Sequence, residues 1–202
     1  PWRDQSNADL IAATSERVGA FPLDPTGDDA AMYLTLAPGA YTAVASGLDS
    51  GLGQRLVEVY DVAEQGSDQS ALINSSNRGC IEPGETMVGG FVVRGDRERL
   101  VMVRVVGPGL AAFGLSDIAS DPRLVLWRDD EIVAENDDWG DGVDPLGVAD
   151  AAAAAGAFEL DMDSMDAALV FQATPGSCTI HVTLPEGSIG GEVLLEIYYL
   201  DR

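Results

Sequence analysis

The chain has 202 residues, with 34 acidic and 11 basic side chains and a formal net charge of −23. All 11 basic residues are arginine, so the sequence offers no lysine for a Lys–Asn isopeptide cross-link. The charge disfavours nucleic acids and anionic membranes as partners, because both would repel it. It is typical of a protein that stays soluble at high salt or collects divalent cations, and equally of an ordinary solvated acidic surface. No stretch is apolar for long enough to cross a bilayer, so we predict no membrane insertion.

The sequence contains an internal repeat. Residues 19–42 align without a gap on residues 156–179, at an offset of 137 positions. With one inserted residue the match extends forwards, from VEVY at 57–60 to LEIY at 195–198. The chain therefore carries one whole copy of a unit and only the last part of another.

Predicted strands follow one another along the whole chain. Alternating or β-branched runs recur between clusters of glycine, proline, aspartate and asparagine, which is the pattern of short strands joined by turns. Alanine-rich segments at 8–19 and 148–158, equivalent in the two copies, predict either a short helix or a turn. The predicted fold class is all-β. The predicted strands in chain order are 29–36, 40–47, 55–62, 71–75, 87–94, 99–106, 123–127, 131–135, 166–172, 177–183 and 192–200.

The alternation within single strands predicts how they pack. In CTIHVT, the side chains of Cys178, Ile180 and Val182 share one face, while His181 and the threonines lie on the other. One apolar and one polar face is typical of antiparallel strands with one side buried and one in water. Two such sheets packed face to face form a β-sandwich, so we predict an antiparallel β-sandwich.

The two copies predict two structural units. Residues 64–202 hold eight predicted strands, enough for a complete sandwich, whereas residues 1–63 supply only the last three strands of a second copy. Three strands in about sixty residues bury too little apolar surface to stand alone, and they leave open edges. The partial unit must therefore be covered by the complete unit, by another chain or by further upstream sequence.

Four segments together resemble the repeat modules of large secreted bacterial proteins. They are GGFVVRGDRERLVMVRVVGPGLAAFGL (89–115), DPRLVLW (121–127), AENDDW (134–139) and PGAYTAVASG (38–47). The second half is also similar to the bacterial pre-peptidase C-terminal (PPC) domain, a calcium-tolerant, jelly-roll-like sandwich that is attached to exported enzymes. The resemblance implies a non-catalytic, extracellular or cell-surface β-sandwich module, and it does not imply a ligand.

Two cysteines, Cys80 and Cys178, lie far apart in the sequence. In an exported protein, two solitary cysteines most simply form one disulfide. The alternatives are that each is a small buried residue, or that they pair between subunits. Both stand where the repeat pattern usually has bulky apolar or aromatic residues, which favours the disulfide. Zinc is disfavoured, because two cysteines and one histidine without close spacing do not build a site.

The densest acidic cluster is ENDDWGDGVD at residues 135–144. Oxygen-bearing side chains on a glycine-rich turn are what calcium requires, although the spacing is not that of an EF-hand. The alternative is a turn in which aspartate and asparagine side chains bond their own backbone. A weaker candidate is the acidic turn at 23–29, with its counterpart at 160–166. The candidate calcium ligands are Asn136, Asp137, Asp138, Asp141 and Asp144.

Two tryptophans, Trp2 and Trp139, occupy equivalent positions after the acidic turn. They are the candidate ligand-binding residues, because exposed tryptophans on a secreted sandwich stack on sugars; the alternative is that they plug the core or a sheet edge.

Arg104 lies in an apolar strand and needs a partner if it is buried, for which we predict Asp137 or Asp138.

The sequence assembles no recognisable catalytic site. His181 is the only histidine, and the other copy has Val44 in its place. No GxSxG-type nucleophile context occurs, and GPGLAAFG (107–114) lacks the lysine of a phosphate-binding loop. A pair of carboxylates for glycoside hydrolysis is not distinguished among the 34 acidic residues. We therefore predict that the chain is not an enzyme.

The predicted function is assembly. We expect a non-catalytic, extracellular structural protein whose open strands are completed by β-strand complementation, so that copies build a surface layer or filament. The alternative is a passive adhesion or binding module, either a carbohydrate-binding sandwich or a domain appended to a secreted enzyme. The expected partners are further copies of the chain, or a surface glycan in the alternative, and Ca²⁺ is the expected cofactor.

Overall fold

The chain divides into two compact units, residues 1–71 (unit 1) and residues 72–202 (unit 2). The division falls a little after the predicted boundary at residue 63. Among the described residues, no helix is both long and apolar enough to cross a membrane. The structure is a computed structural model and describes residues 1–46, 55–62 and 71–200.

Unit 2 is an antiparallel β-sandwich. The strands are β1 (Asn74–Ile81), β2 (Met87–Val93), β3 (Arg99–Val106), β4 (Arg123–Arg128), β5 (Glu131–Asn136), β6 (Ala167–Ala173), β7 (Gly176–Thr183) and β8 (Gly191–Tyr199). They form two four-stranded sheets, one in the order β1-β8-β3-β6 and the other in the order β2-β7-β4-β5. All pairs of neighbouring strands are antiparallel. The predicted all-β fold class and the sandwich are confirmed.

The core of unit 2 is formed by the apolar faces of its strands. Alternate residues point to the same side of a strand, as the period of two predicts. Val103, Leu195 and Ile197 of the first sheet are buried in one cluster with Leu126 and Ile180 of the second. Removing each such side chain from water contributes about 1.5–3 kcal/mol to stability.

Two α-helices of the described residues lie outside the sheets, α1 (Ala8–Val18) in unit 1 and α2 (Pro145–Ala155) in unit 2. The start of α2 is set by Asp144, whose carboxylate accepts a hydrogen bond from the Gly147 N–H at 3.0 Å, and by a proline in the first turn. Its end is set by Gly156, whose φ of 73° is a left-handed conformation that glycine adopts without strain. The helical alternative for the alanine-rich segments is therefore confirmed.

A second apolar cluster of unit 2, the outer cluster, lies against the β1-β8-β3-β6 sheet. The strand residues in this cluster alternate with those that face the core. The rest come from the 3-10 turns Pro108–Phe113 and Trp139–Asp141, from α2 and from the connection that follows α2. The buried members of the outer cluster are Met102, Val106, Leu110, Trp139, Val148, Leu160 and Ala168.

The first thirty residues of unit 1 reproduce the local structure of their counterparts in unit 2. In each copy a 3-10 turn, Trp2–Asp4 or Trp139–Asp141, is followed by a helix of 11 residues. In each copy the tryptophan N–H donates to an aspartate carbonyl at 2.9 Å, from Trp2 to Asp29 and from Trp139 to Asp166. The repeat in the sequence is thus also a repeat in hydrogen bonding.

The strands predicted at 29–36, 40–47 and 55–62 are wrong. The structure has no strand among the described residues of these segments, and residue 47 lies outside them. Their counterparts in the repeat are β6, β7 and β8, and no two of these strands are neighbours. β6 pairs with β3, β7 with β2 and β4, and β8 with β1 and β3. Residues 1–71 include no counterparts of β1–β5, so these three segments lack the neighbours that β6, β7 and β8 have in unit 2.

The apolar residues of these three segments remain exposed. Leu195 and Ile197 are buried in unit 2, whereas their counterparts Val57 and Val59 are 55% and 62% exposed. The three segments therefore have the composition of core strands without the surroundings of core strands. Phe21, which precedes these segments, is exposed as well. The exposed large apolar residues of the three segments are Met32, Leu34, Leu36, Tyr41, Val44, Leu56, Val57, Val59 and Tyr60.

Arg104 is buried in the middle of β3, where it is 1% exposed. Its partner is Glu196 on β8, not the predicted acidic turn, because the register of the two strands places these residues opposite each other. Arg104 Nε and Glu196 Oε2 lie 3.2 Å apart as an ion pair, without the alignment of a hydrogen bond. Arg104 Nη1 donates to the Phe158 carbonyl at 2.7 Å, and the guanidinium lies 4.3 Å from the centre of the Phe158 ring.

Replacing one partner of this pair, by Arg104→Met or Glu196→Met, is expected to lower the free energy of unfolding of unit 2 by about 3–5 kcal/mol. The reason is that the remaining charge stays buried without a partner, so the double replacement should cost much less than the sum of the two. Urea denaturation followed by near-UV circular dichroism measures these losses.

The exposed Arg123–Glu135 ion pair, with an N–O distance of 2.7 Å, is the matched control. Arg123→Met should cost less than about 1 kcal/mol, because water screens that pair. Equal losses from the two arginine replacements would contradict a structural role for the buried pair.

Candidate functional site

The candidate ligand-binding residues, Trp2 and Trp139, are buried, and each is 4% exposed. Each indole N–H donates to a backbone carbonyl, from Trp2 to Asp24 at 3.1 Å and from Trp139 to Asp161 at 2.9 Å. A stacking platform needs an exposed ring face, so the prediction of a glycan-binding surface at these residues is wrong. The alternative, that they plug apolar clusters, is confirmed.

The predicted disulfide is wrong, since Cys80 and Cys178 are both free. Cys80 is exposed on the edge strand β1, whereas Cys178 is buried on β7 in the other sheet. Partial burial raises the pKa of the Cys80 thiol, and repulsion by Glu192 adds to the effect. Burial also raises the pKa of Cys178. Both thiols are therefore protonated and weakly nucleophilic near neutral pH.

The candidate calcium ligands at 136–144 take several local roles. The amide oxygen of Asn136 accepts from the Ala168 N–H at 2.8 Å, and its amide nitrogen donates to the Asp138 carbonyl at 3.2 Å. Asp144 caps α2. In the ranges that the structure describes, no three or more histidine, cysteine, aspartate or glutamate residues gather closely enough to hold a metal ion. These bonds favour the turn alternative, and calcium binding by Asp137, Asp138 and Asp141 stays a prediction.

The weaker acidic candidates, at 23–29 and 160–166, form backbone-bonded turns. The Asp24 carboxylate accepts from the N–H and the hydroxyl of Thr26, at 2.8 and 2.7 Å, and these bonds lower the pKa of Asp24. The equivalent Asp161 accepts from the Asp163 N–H at 3.1 Å. The carboxylates shape the turn in both copies.

A polar cleft of about 480 Å³ opens at one end of the β2-β7-β4-β5 sheet. Desolvation raises the pKa of Asp137 in this cleft, and repulsion by Asp138 adds to the effect. Desolvation also raises the pKa of Asp121, with added repulsion from Asp137 and Asp138. The lining includes neither histidine nor cysteine, so it holds no nucleophile–histidine pair. His181 instead lies against the Trp127 ring, with ring centres 5.7 Å apart. The cleft is lined by Arg123, Glu135, Asn136, Asp137, Thr183, Leu184 and Pro185.

The polar group around Arg104 has a partial copy in unit 1. In unit 2 the Tyr198 hydroxyl donates to Glu196 at 2.8 Å, and in unit 1 the equivalent Tyr60 hydroxyl donates to Glu58 at 3.0 Å. Glu196 is buried, whereas Glu58 is exposed. The Glu–Tyr pair was not among the predicted site residues, although its recurrence in VEVY and LEIY is a sequence signal that identifies it.

The candidate functional site is accordingly the exposed part of unit 1 whose counterparts are buried or half-buried in unit 2. We call it the acceptor surface. It combines apolar side chains with two carboxylates, so it resembles the interior of a module rather than a solvated face. The acceptor surface consists of Phe21, Asp29, Met32, Leu34, Leu36, Tyr41, Leu56, Val57, Glu58 and Val59.

Comparisons with known proteins show distant similarity. No family model matches the chain, and no curated protein matches it. The structure is similar to the pre-peptidase C-terminal domain of a collagenase from Bacillus anthracis, with 15% identity and a TM-score of 0.37 over 62% of this chain and 89% of that one. It is also similar to a cycloisomaltooligosaccharide glucanotransferase of a Paenibacillus species, solved with cycloisomaltoheptaose, with 14% identity and a TM-score of 0.30. That match covers 65% of this chain and 17% of the enzyme. The sequence motifs predict a resemblance to the PPC domain, and a PPC domain is among the structures to which this one is similar.

Thiol reactivity tests the assignment of free cysteines. Near neutral pH we expect a disulfide-exchange reagent such as Ellman's to modify Cys80 slowly, and Cys178 only after the chain unfolds in guanidinium. The rate at Cys80 should keep rising above the ordinary thiol range of about pH 8.5, because the pKa of Cys80 is raised. Cys80→Ser should abolish the reaction of the folded chain, whereas Cys178→Ser should preserve it. If neither the folded nor the unfolded chain contained a reactive thiol, the two cysteines would be disulfide-bonded and the assignment of free cysteines would be wrong.

The raised pKa values of Asp121 and Asp137 predict an unusual response to mild acid. As the pH falls towards the ordinary aspartate pKa of about 3.9, the folded carboxyls take up protons before the same carboxyls do in the unfolded chain. Their contribution to the free energy of unfolding should therefore rise as the pH falls. Asp137→Asn should stabilise the chain at neutral pH and weaken this dependence. Asp130→Asn, at an exposed turn, makes the same change in net charge and is the control. Identical pH profiles for the two variants would contradict the assignment to Asp137.

Proposed function

We propose that the chain is a non-catalytic, extracellular structural module that assembles by β-strand complementation, with unit 1 as the accepting side. The proposal is supported by one observation: the segments equivalent to β6, β7 and β8 expose core residues, and the repeat gives them no strands to pair with. Added strands from another polypeptide would supply both backbone hydrogen bonds and apolar burial to such segments.

The energy available from the acceptor surface is comparable to the cost of association. Each Leu, Val, Met or Phe side chain that becomes fully buried contributes about 1.5–3 kcal/mol. Association costs about 4–15 kcal/mol in lost freedom of motion. Covering two or three side chains therefore offsets only the low end of this cost, and stable binding requires most of the acceptor surface to be covered.

The setting and the form of the assembly follow from the motifs and the charge. The resemblance to secreted repeat modules supports an extracellular location. A contact between the acceptor surface of one copy and a different surface of the next is head-to-tail, so it need not close and can extend into a layer or filament. The net charge of −23 opposes contact between copies, and salt should therefore promote assembly by screening it. The glycan-binding alternative is not supported at the residues predicted for it, because Trp2 and Trp139 are buried.

Light scattering after size-exclusion chromatography, over a range of protein and salt concentrations, tests the proposal. We expect the mass of the particles to rise with both concentrations. Val59→Asp should weaken association, because it places a charge at a position that becomes buried. Ile189→Asp, at a residue that is 71% exposed in the β7–β8 loop of unit 2, should not. A chain that stays monomeric throughout, or two variants that behave alike, would contradict the proposal.

A further inference from the structure

β3 is the one strand that joins two of the three segments repeated in unit 1. It lies between β8 and β6 in the sheet, and its register places Arg104 opposite Glu196 on one side and Ala168 on the other. Unit 1 contains the counterparts of β8 at 55–62 and of β6 at 29–36. A single strand of the β3 type would therefore pair with both segments and make a three-stranded sheet.

The residues that hold Arg104 in unit 2 recur in unit 1. Arg104 lies against the ring of Phe158 and forms an ion pair with Glu196, which also accepts from Tyr198. The counterpart of Phe158 is Phe21, which is 53% exposed. The counterpart of Glu196 is the exposed Glu58, which accepts from a tyrosine in the same way.

The residue that holds the turn after β3 recurs as well. In unit 2 the buried carboxylate of Asp166 accepts from the N–H of Gly107 at 2.8 Å and of Gly109 at 3.1 Å. Its counterpart Asp29 makes the same backbone bond to a tryptophan, but its side chain is exposed. The carboxylate that would receive two glycine N–H groups is therefore present in unit 1.

The apolar residues around β3 follow the same pattern. Four buried members of the outer cluster, Trp139, Val148, Leu160 and Ala168, have counterparts that pack together in unit 1. These counterparts are Trp2, Ile11, Leu23 and Ala31. The buried members without a counterpart are Met102, Val106 and Leu110, which come from β3 and the turn that follows it.

We propose that the acceptor surface binds a β3-type strand of a partner polypeptide, an apolar strand with one central arginine followed by a Gly-Pro-Gly turn. The arginine binds between Phe21 and Glu58, and the glycine N–H groups donate to Asp29. The inference rests on the proposed function in so far as unit 1 is the accepting side. It adds the chemistry by which the partner is recognised.

The β3 strand of a folded unit 2 is not available for this binding, because it is already paired with β8 and β6. The strand that binds is a β3-type segment of the partner polypeptide that is not itself part of a folded sheet.

A labelled peptide with the sequence of residues 97–110, RERLVMVRVVGPGL, is the probe for the full chain. Fluorescence anisotropy measures the affinity, and hydrogen exchange locates the bound peptide. We expect saturable binding with new amide protection in 29–36 and 55–62. Replacing the peptide's arginine (Arg104→Gln) should weaken binding about tenfold or more, because a buried carboxylate loses its charged partner.

Variants of the chain separate recognition from general electrostatic attraction between a basic peptide and an acidic protein. Glu58→Gln and Asp29→Asn should each weaken binding about tenfold. Asp9→Asn, an exposed carboxylate of unit 1 that pairs with Arg3, makes the same change in charge and should leave binding unchanged. A scrambled peptide of the same composition should not bind with protection of the two segments.

Several outcomes would overturn the inference. The first is equal binding of the native and scrambled peptides, and the second is an equal effect of Glu58→Gln and Asp9→Asn on the affinity. The third is a change of hydrogen exchange in β6 and β8, which would mean that the peptide replaces β3 of unit 2. Failure of the proposed function has a different signature. If the chain self-associates but does not bind the peptide, the proposed function stands and this inference is wrong. If the chain binds the peptide but never self-associates, this inference stands and the proposed self-assembly is wrong.

Discussion

Strand pairing between distant parts of the chain is the constraint on which the sandwich depends. Each backbone N–H and C=O group of a buried strand must find a partner on a neighbouring strand, because burial removes water as the alternative. In unit 2 these neighbours are far apart in sequence: Asn74 pairs with Tyr198, and Val103 with both Leu169 and Ile197. The three C-terminal strands interleave with the five that precede them and are never neighbours of each other. The second part of the module therefore has no sheet of its own, however apolar its strands are.

Local interactions survive where these distant pairings are absent. The 3-10 turn, α1 and the turn around Asp24 use hydrogen bonds that span fewer than thirty residues, and they form in unit 1 as they do in unit 2. Trp2 anchors this segment by burying its ring and bonding both of its N–H groups to backbone carbonyls. The repeat thus has a locally determined part, which is preserved, and a part determined by the whole sandwich, which is not.

The same distinction explains what could be predicted from the sequence. Alternation is a local property, so the strand at 99–106 and the antiparallel sandwich of unit 2 are correct. The partner of Arg104 is set by the register between β3 and β8, which no local pattern encodes. Two solitary cysteines predict a disulfide, but the side chain of Cys80 is exposed on β1, whereas that of Cys178 is buried on β7. The strands in unit 1 have the right alternation, and they fail because alternation specifies the face of a strand and not its neighbour.

The two carboxylates of the acceptor surface give specificity that its apolar side chains cannot. Val57, Val59 and Leu34 would be covered equally well by many apolar strands, since burial of apolar surface is non-directional. Glu58 is different, because a strand without a cation at the matching position would bury its charge unpaired and lose several kcal/mol. A shift of register by one residue would turn the arginine to the other face of the sheet and leave the same unpaired charge. Glu58 therefore selects both the identity of the strand and its register, by making the wrong choices unfavourable.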